Sequence, residues 1–348
     1  MSMDTLRTEV DRSLGEFLDR QRPIVNGPDL APLLNAAREL LSGGKRLRPA
    51  FCYWGWRAAG GNDEPGIFVA AASLELLQAS ALVHDDVMDK SDLRRGMPSA
   101  HRRFQRLHEK SDWYGSAEQF GEGAAVLLGN LLLIWSGEMW RSSGLPNLEA
   151  TQPFHDHMRT ELMCGQYLDL LEQAHGENTF ESALRVALYK SGKYSVEQPL
   201  RLGLTLAAGG GAPWIEELCV EYGNRVGIAF QLRDDILGVF GDPVETGKPA
   251  GDDLREGKRT MLIARTLAAA TPEDAATVRR LLGDPGLDAE GVDKLRGVIE
   301  ASGALDECEE MIARYLEESL ASLDDAPITT EARSALADLA VAATSRKT

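Results

Sequence analysis

Two acidic pairs stand 149 residues apart in a chain of 348 residues, and each closes an apolar stretch. The first is Asp85-Asp86-Val87-Met88-Asp89, preceded by Leu82 and Val83; the second is Asp234-Asp235-Ile236-Leu237, preceded by Ile228, Ala229 and Phe230. On a helix Asp85 and Asp89 share one face, while Asp86 projects about 100° away. No lysine follows four residues on, so the shared charges repel, and carboxylates beside an apolar run are costly unless a cation neutralises them. Mg²⁺ suits such a pair, because it takes one or two carboxylates, keeps water and shares phosphate oxygens with a substrate. Taken alone, an Asp-Asp-x-x-Asp pattern is equally compatible with a solvated acidic helix end. The residues after the second pair (Asp242, Lys248, Asp252, Asp253, Arg255, Lys258, Arg259) are likewise compatible with a charged surface loop.

Basic residues complement the acidic ones. Gly43-Gly44-Lys45-Arg46-Leu47-Arg48-Pro49 sets three cations around a Gly-Gly turn, where backbone N–H groups can also face an anion. Arg94-Arg95 follows the first acidic cluster by five residues, and Arg suits bidentate phosphate contact. Lys190-Ser191 ends another apolar run. Each alone reads as a solvated patch; with two metal-type clusters they form a set for a polyphosphate.

The elements that must position these residues are helices. Apolar residues recur at helical spacing over 30–41, 67–83, 124–139, 180–189, 214–239, 260–267, 292–299 and 305–323. Gly43-Gly44, Gly60-Gly61, Gly209–Gly211 and Gly241-Asp242-Pro243 punctuate them. Segments 107–122 and 241–257 read as loops, the second with the Gly, Pro, Lys and Asp content of an active-site lid. No linker or repeat divides the chain, so one all-α domain over 1–348 is expected. A net charge of −17 argues against a nucleic-acid partner. Cys52, Cys164, Cys219 and Cys308 lack metal-site spacing and read as buried reduced thiols. Residues 1–22 lack a signal-peptide pattern, and no uninterrupted apolar run approaches the roughly 20 residues of a membrane span. A cytoplasmic protein is the expectation.

From about residue 35 to 270 the chain resembles the trans-type (head-to-tail) isoprenyl diphosphate synthases. The resemblance rests on GGKRLRP at 43–49, LVHDDVMD with RRG over 82–96, GQYLD at 165–169, KSGKY at 190–194, and FQLRDD with GKPAGDDLREGKRT over 230–260. It implies a helical bundle around a deep central cavity, usually a homodimer. It also implies that Asp85, Asp89 and Asp234 hold three Mg²⁺ ions on the allylic diphosphate, with Asp86 and Asp235 in support. Arg94, Lys190, Ser191, Gln231, Lys248 and Lys258 would bind that diphosphate. Lys45, Arg48, Arg95 and Gln78 would hold isopentenyl diphosphate, Gln78 standing where the family often has His. Gln166 and the Lys190 carbonyl region would stabilise the allylic cation.

The second motif departs from the family pattern, with Gly238 where a third Asp is common, and Lys193 adds a cation without an assigned role. Ser80 and Ala81, five and four residues before Asp85, are small where short-chain enzymes often place aromatics. The cavity floor then moves towards Leu77 or Leu74, and C20 geranylgeranyl diphosphate is expected from C5–C15 primers. Alternatively Ser80 and Ala81 only permit close helix packing, which leaves farnesyl or C25-and-longer products open. A class I terpene cyclase fits less well, because Asp234, Gly238 and Asp242 do not form its second metal triad. A non-catalytic partner subunit typically loses one Asp motif, and both are substantially present here.

Overall fold

The computed structural model describes residues 1–175, 179–242 and 251–345, and the chain is all-α, as expected. Among the described residues, strand pairing is limited to a two-residue antiparallel ladder, Leu93–Arg94 against Met97–Pro98. Contacts gather the chain into two compact units, residues 1–151 with 202–210 and residues 152–201 with 211–348. Two of the boundaries fall inside the continuous helices Leu148–His175 (α7) and Gln198–Ala208 (α9), so no linker composition announces them.

In the first unit Pro65–Met88 (α4) is the central helix. It packs against Met3–Gln21 (α1), Ala31–Leu41 (α2), Leu47–Ala58 (α3), Ala100–Lys110 (α5) and Ala117–Arg141 (α6). Burial runs around most of its circumference, as the Ala/Leu-rich sequence implies, through Ile67, Ala70, Ala71, Leu74, Leu76, Leu77 and Val83. By length and composition α4 and α6 could each cross a membrane, which amends the sequence expectation; most of α4 is core. The segment 107–122 is largely helical, since α5 runs to Lys110 and α6 starts at Ala117 after the N-cap Ser116. The sequence reading also passed over α1, whose Leu6, Val10, Leu14 and Phe17 form a buried helical stripe among its charges.

In the second unit the run 214–239 is divided. Pro213–Leu218 (α10) leads through a π-helical turn, Cys219–Asn224, into Arg225–Phe240 (α11). A second π-helical stretch, Leu188–Glu197, continues the helix Phe180–Ala187 (α8) and carries the Lys190 motif. Such π segments widen a helix locally and favour functional sites. Glycines let backbones meet here. A methyl carbon on Gly165 of α7 would lie 2.4 Å from the Lys190 nitrogen, and one on Gly227 of α11 would lie 2.7 Å from the Gly192 oxygen. Helix α11 also packs on Met261–Ala269, Ala304–Asp324 and Thr330–Thr344.

Gly227→Ala is expected to lower stability by about 1–3 kcal/mol through overpacking. Gly297→Ala, in the helix Ala289–Ala301 with open space around it, should be neutral or raise stability by about 0.4–1 kcal/mol. Urea unfolding midpoints of the two variants check this.

Candidate active site

The C-terminal end of α4 presents the first acidic cluster. The Asp89 N–H donates to the Asp85 carbonyl at 2.8 Å, so the last turn stays helical and the two side chains share a face. Carboxylates at this end of a helix meet the negative end of its dipole, which adds to their need for a cation. Asp85 and Asp89 are half-buried, whereas Asp86 is fully buried. The Asp86 carboxylate accepts from Arg94, with Nε at 3.0 Å, and Arg94 also reaches Asp85 at 3.8 Å. Arg94 stands on the short hairpin, whose turn uses Arg95 and Gly96 at φ 53° and 73°.

The Gly-Gly segment turns as expected, with φ of 71° at Gly43 and 109° at Gly44. Its three cations are not equivalent. Lys45 is exposed and Arg48 half-buried, but Arg46 is 3% exposed and left-handed at φ 52°. Arg46 donates to Glu75 at 2.5 Å, to Asp11 at 2.9 Å and to the Leu41 carbonyl. It is an internal anchor that fixes the loop carrying Lys45 and the first turn of α3, which carries Arg48, a role the motif alone does not distinguish. Arg95 reaches over Gly44: its guanidinium would lie 3.5 Å from a methyl carbon there. Desolvation, opposed by Glu75 and assisted by Arg46, Arg94 and Arg48, holds its pKa below the usual guanidinium value. A gathering of guanidinium groups of this kind favours an anion. Gln78 and Ala81 are half-buried on α4, while Ser80 and Leu77 are buried.

The second acidic cluster repeats the division of labour. Asp234 is half-buried and Asp235 is buried. The Asp235 carboxylate accepts from Gln231 Nε2 at 2.8 Å and from the Met261 N–H at 3.1 Å, tying α11 to the start of the next long helix. Burial pushes the Asp235 carboxyl up to about 8; the charges of Asp253 and Asp234 add to this, and the two hydrogen bonds oppose it. Lys190 pairs with Asp169 at 2.6 Å, which joins the KSGKY and GQYLD motifs. Lys193, unassigned from sequence, pairs with Glu161 at 2.5 Å, and Glu161 also accepts from Gln198 at 3.0 Å. Ser191 and Gln166 are half-buried, and Lys258 sits 2.6 Å from Glu256 and 3.5 Å from Asp253. Lys248 lies outside the described residues, as do all of residues 243–250 of the segment read as a lid. Cys164 is exposed, a correction to the reading of four buried thiols, because it occupies the outer face of α7 beside exposed Met163.

Among the described residues no three His, Cys, Asp or Glu side chains close on a point that could hold an ion unaided. Half-buried carboxylates in two clusters nevertheless fit Mg²⁺, a hard cation that completes its shell with water and phosphate oxygens. A third acid stands close by: the Asp253 carboxylate is seated against Gly238, where a methyl carbon would lie 1.9 Å from it.

An all-α fold with two aspartate-rich helix segments and clustered cations defines an enzyme that handles diphosphate leaving groups. The chain belongs to the polyprenyl synthetase family, whose profile matches residues 31–299. It is similar in structure to the geranylgeranyl pyrophosphate synthase of Corynebacterium glutamicum, solved with isoprenyl diphosphate and magnesium. The TM-score is 0.95 at 39% identity, over 99% of this chain and 100% of that one. In sequence it is 32% identical to the geranylfarnesyl diphosphate synthase of Aeropyrum pernix over 82% of this chain and 85% of that protein. It is 31% identical to the nonaprenyl diphosphate synthase of Mycobacterium tuberculosis over 88% of this chain and 84% of that protein. The protein is a prenyltransferase.

Because Arg46 and Glu75 are both buried, Arg46→Met should cost about 3–5 kcal/mol by leaving a carboxylate uncompensated. Adding Glu75→Leu should recover most of that loss. Chemical denaturation of the two variants and the wild type checks the pair.

Proposed function

We propose that this protein joins isopentenyl diphosphate to an allylic diphosphate in a Mg²⁺-dependent reaction and releases diphosphate, with C20 geranylgeranyl diphosphate as product. The observation that carries the reading is the shared pattern of the two acidic clusters. In each, one aspartate is buried against protein donors (Asp86, Asp235) while another, Asp85 or Asp234, stays half-buried. In this reading Asp85, Asp89 and Asp234 hold three Mg²⁺ ions. When bound, Mg²⁺ neutralises the leaving diphosphate so that the allylic C–O bond ionises.

The remaining work falls to side chains. Arg94, Lys190, Ser191, Gln231, Lys248 and Lys258 bind the allylic diphosphate, and Lys45, Arg48, Arg95 and Gln78 hold isopentenyl diphosphate. The isopentenyl double bond attacks the allylic carbon, a C–C bond replaces the C–O bond, and the released diphosphate takes the proton. Gln166 and the Lys190 carbonyl region stabilise the developing cation in this reading. The family profile crosses both compact units, which supports 1–348 working as one catalytic domain. The three buried thiols support a reducing, cytoplasmic setting.

Product length is read from α4. Relatives of similar identity are named for different prenyl lengths, so overall similarity does not decide it. Ala81 is half-buried four residues before Asp85, on the same helix face, whereas Ser80 is fully buried on another side. Ala81 is thus the stronger candidate for the chain-length position, about 6 Å below Asp85 along the helix, and Ser80 serves close packing. Leu77 and Leu74, each 1% exposed, lie further down.

Incubation with Mg²⁺, labelled isopentenyl diphosphate and C5, C10 or C15 primers, followed by phosphatase treatment, should yield mainly the C20 alcohol, and EDTA should abolish it. Ala81→Phe should shorten the product towards C15. C25-and-longer products from the wild type would overturn the floor assignment, and no condensation by folded protein would overturn the function.

A homodimer is the second part of the proposal. Gly123, Leu127, Asn130 and Ile134 line one exposed face of α6, with Phe120 beside it, and Leu127 and Ile134 are 65% and 63% exposed. Light scattering after size exclusion should give twice the chain mass, and Ile134→Asp should give a monomer.

A further inference from the structure

We propose that Asp253 supplies, from outside α11, the third carboxylate that position 238 lacks in the second acidic cluster. The inference rests on the function proposed above and goes beyond it by assigning a residue to the departure at Gly238. Residue 238 lies four positions after Asp234, so on α11 the two share a face. A methyl carbon at Gly238 would lie 1.9 Å from Asp253 Oδ2, 2.4 Å from its Cγ and 3.2 Å from its Cβ. The Asp253 carboxylate therefore occupies the volume that a side chain at 238 would fill. Glycine inside a helix costs about 1 kcal/mol relative to alanine, and close approach of another group is a physical reason to keep it.

The delivery of that carboxylate is built into the fold. Asp253 is the second residue of the short helix Asp252–Glu256, which starts from Gly251 at φ 71°. Gly251 is itself pressed against Val292, where a methyl carbon would lie 2.6 Å from Cγ1, so the helix start is seated on the helix Ala289–Ala301. The Lys258 N–H closes the turn on the Asp253 carbonyl at 3.0 Å, and the Lys258 Nζ stays 3.5 Å from the Asp253 carboxylate. The Asp253 side chain is 15% exposed, so it is positioned rather than solvated. Asp234 on α11 and the Asp253 carboxylate seated against Gly238 thus bring acids from two elements to one turn of α11, and a divalent cation on Asp234 would offset their charge.

The test moves the carboxylate back onto α11. Mn²⁺ binding to the full chain is followed by the free-Mn²⁺ electron paramagnetic resonance signal, with inorganic pyrophosphate present and a protein-free control. Asp253→Asn, which keeps the shape, and Asp253→Ala should each weaken Mn²⁺ binding about 10–100-fold. Gly238→Asp/Asp253→Ala should restore binding to near the wild-type value, because the new side chain enters the volume that Asp253 vacates. A residue that merely held Lys258 would not be rescued in this way. Unchanged binding in folded Asp253→Asn, or no recovery in the folded double variant, overturns the inference. A wild-type chain that binds no Mn²⁺ alongside pyrophosphate overturns the metal reading beneath it, so the two failures are distinguishable.

Discussion

Neutralising clustered carboxylates at the ends of apolar helical runs is the constraint on which the rest of this structure depends. An aspartate carried to the end of a buried helix must find donors or a cation, since desolvation penalises its charge strongly. In each cluster one aspartate meets that constraint within the protein. Asp86 is satisfied internally by Arg94, and Asp235 by Gln231 and the Met261 N–H. These bonds have architectural consequences. The first fixes the hairpin that follows α4, and the second fixes where the helix Met261–Ala269 begins relative to α11. With one aspartate of each pair used for structure, its neighbour keeps contact with solvent.

The cations obey a parallel economy of charge. Lys190 and Lys193 are each held by an acid on α7, and Arg46 is held by Glu75 and Asp11. Pairing of this kind aims a long flexible side chain and lowers the entropy lost when it meets a ligand. The approach of α7, the π-helical stretch and α11 that permits it depends on Gly165, Gly192 and Gly227, where backbone touches backbone. Packing at these glycines and chemistry at the lysines are therefore parts of one arrangement. A side chain at any of the three would move the cations as well as the helices.

Much of this was legible in advance. The aspartate spacing, the Gly-Gly turn and the helical periodicity are local properties of a few consecutive residues, and the all-α class, the polyprenyl synthetase membership and the α4 core follow from them. Local pattern failed where polar residues mask a helix, as in α1, and where a helix changes pitch, as in the π-helical turn at Cys219–Asn224. The segment 107–122 looked like a loop because its charges and glycines obscure helices that are stabilised by packing between α5 and α6.

What the chain determined by itself is the supply of groups: which residues can bear charge, which face of α4 holds Asp85, Asp89 and Ala81, and where glycine permits left-handed turns. Only tertiary structure decided how those groups are used. Arg46 and Lys45 are adjacent and alike in charge, yet one is buried against Glu75 and the other exposed. Ser80 and Ala81 are adjacent and alike in size, yet one is sealed in the core and the other half-buried. Gly238 carries no side chain, yet the space beside it is occupied by the carboxylate of Asp253, fifteen residues on. The physical reason is common to all three. Helical spacing sets directions within one element, whereas burial and pairing depend on which distant residues the packing brings against it.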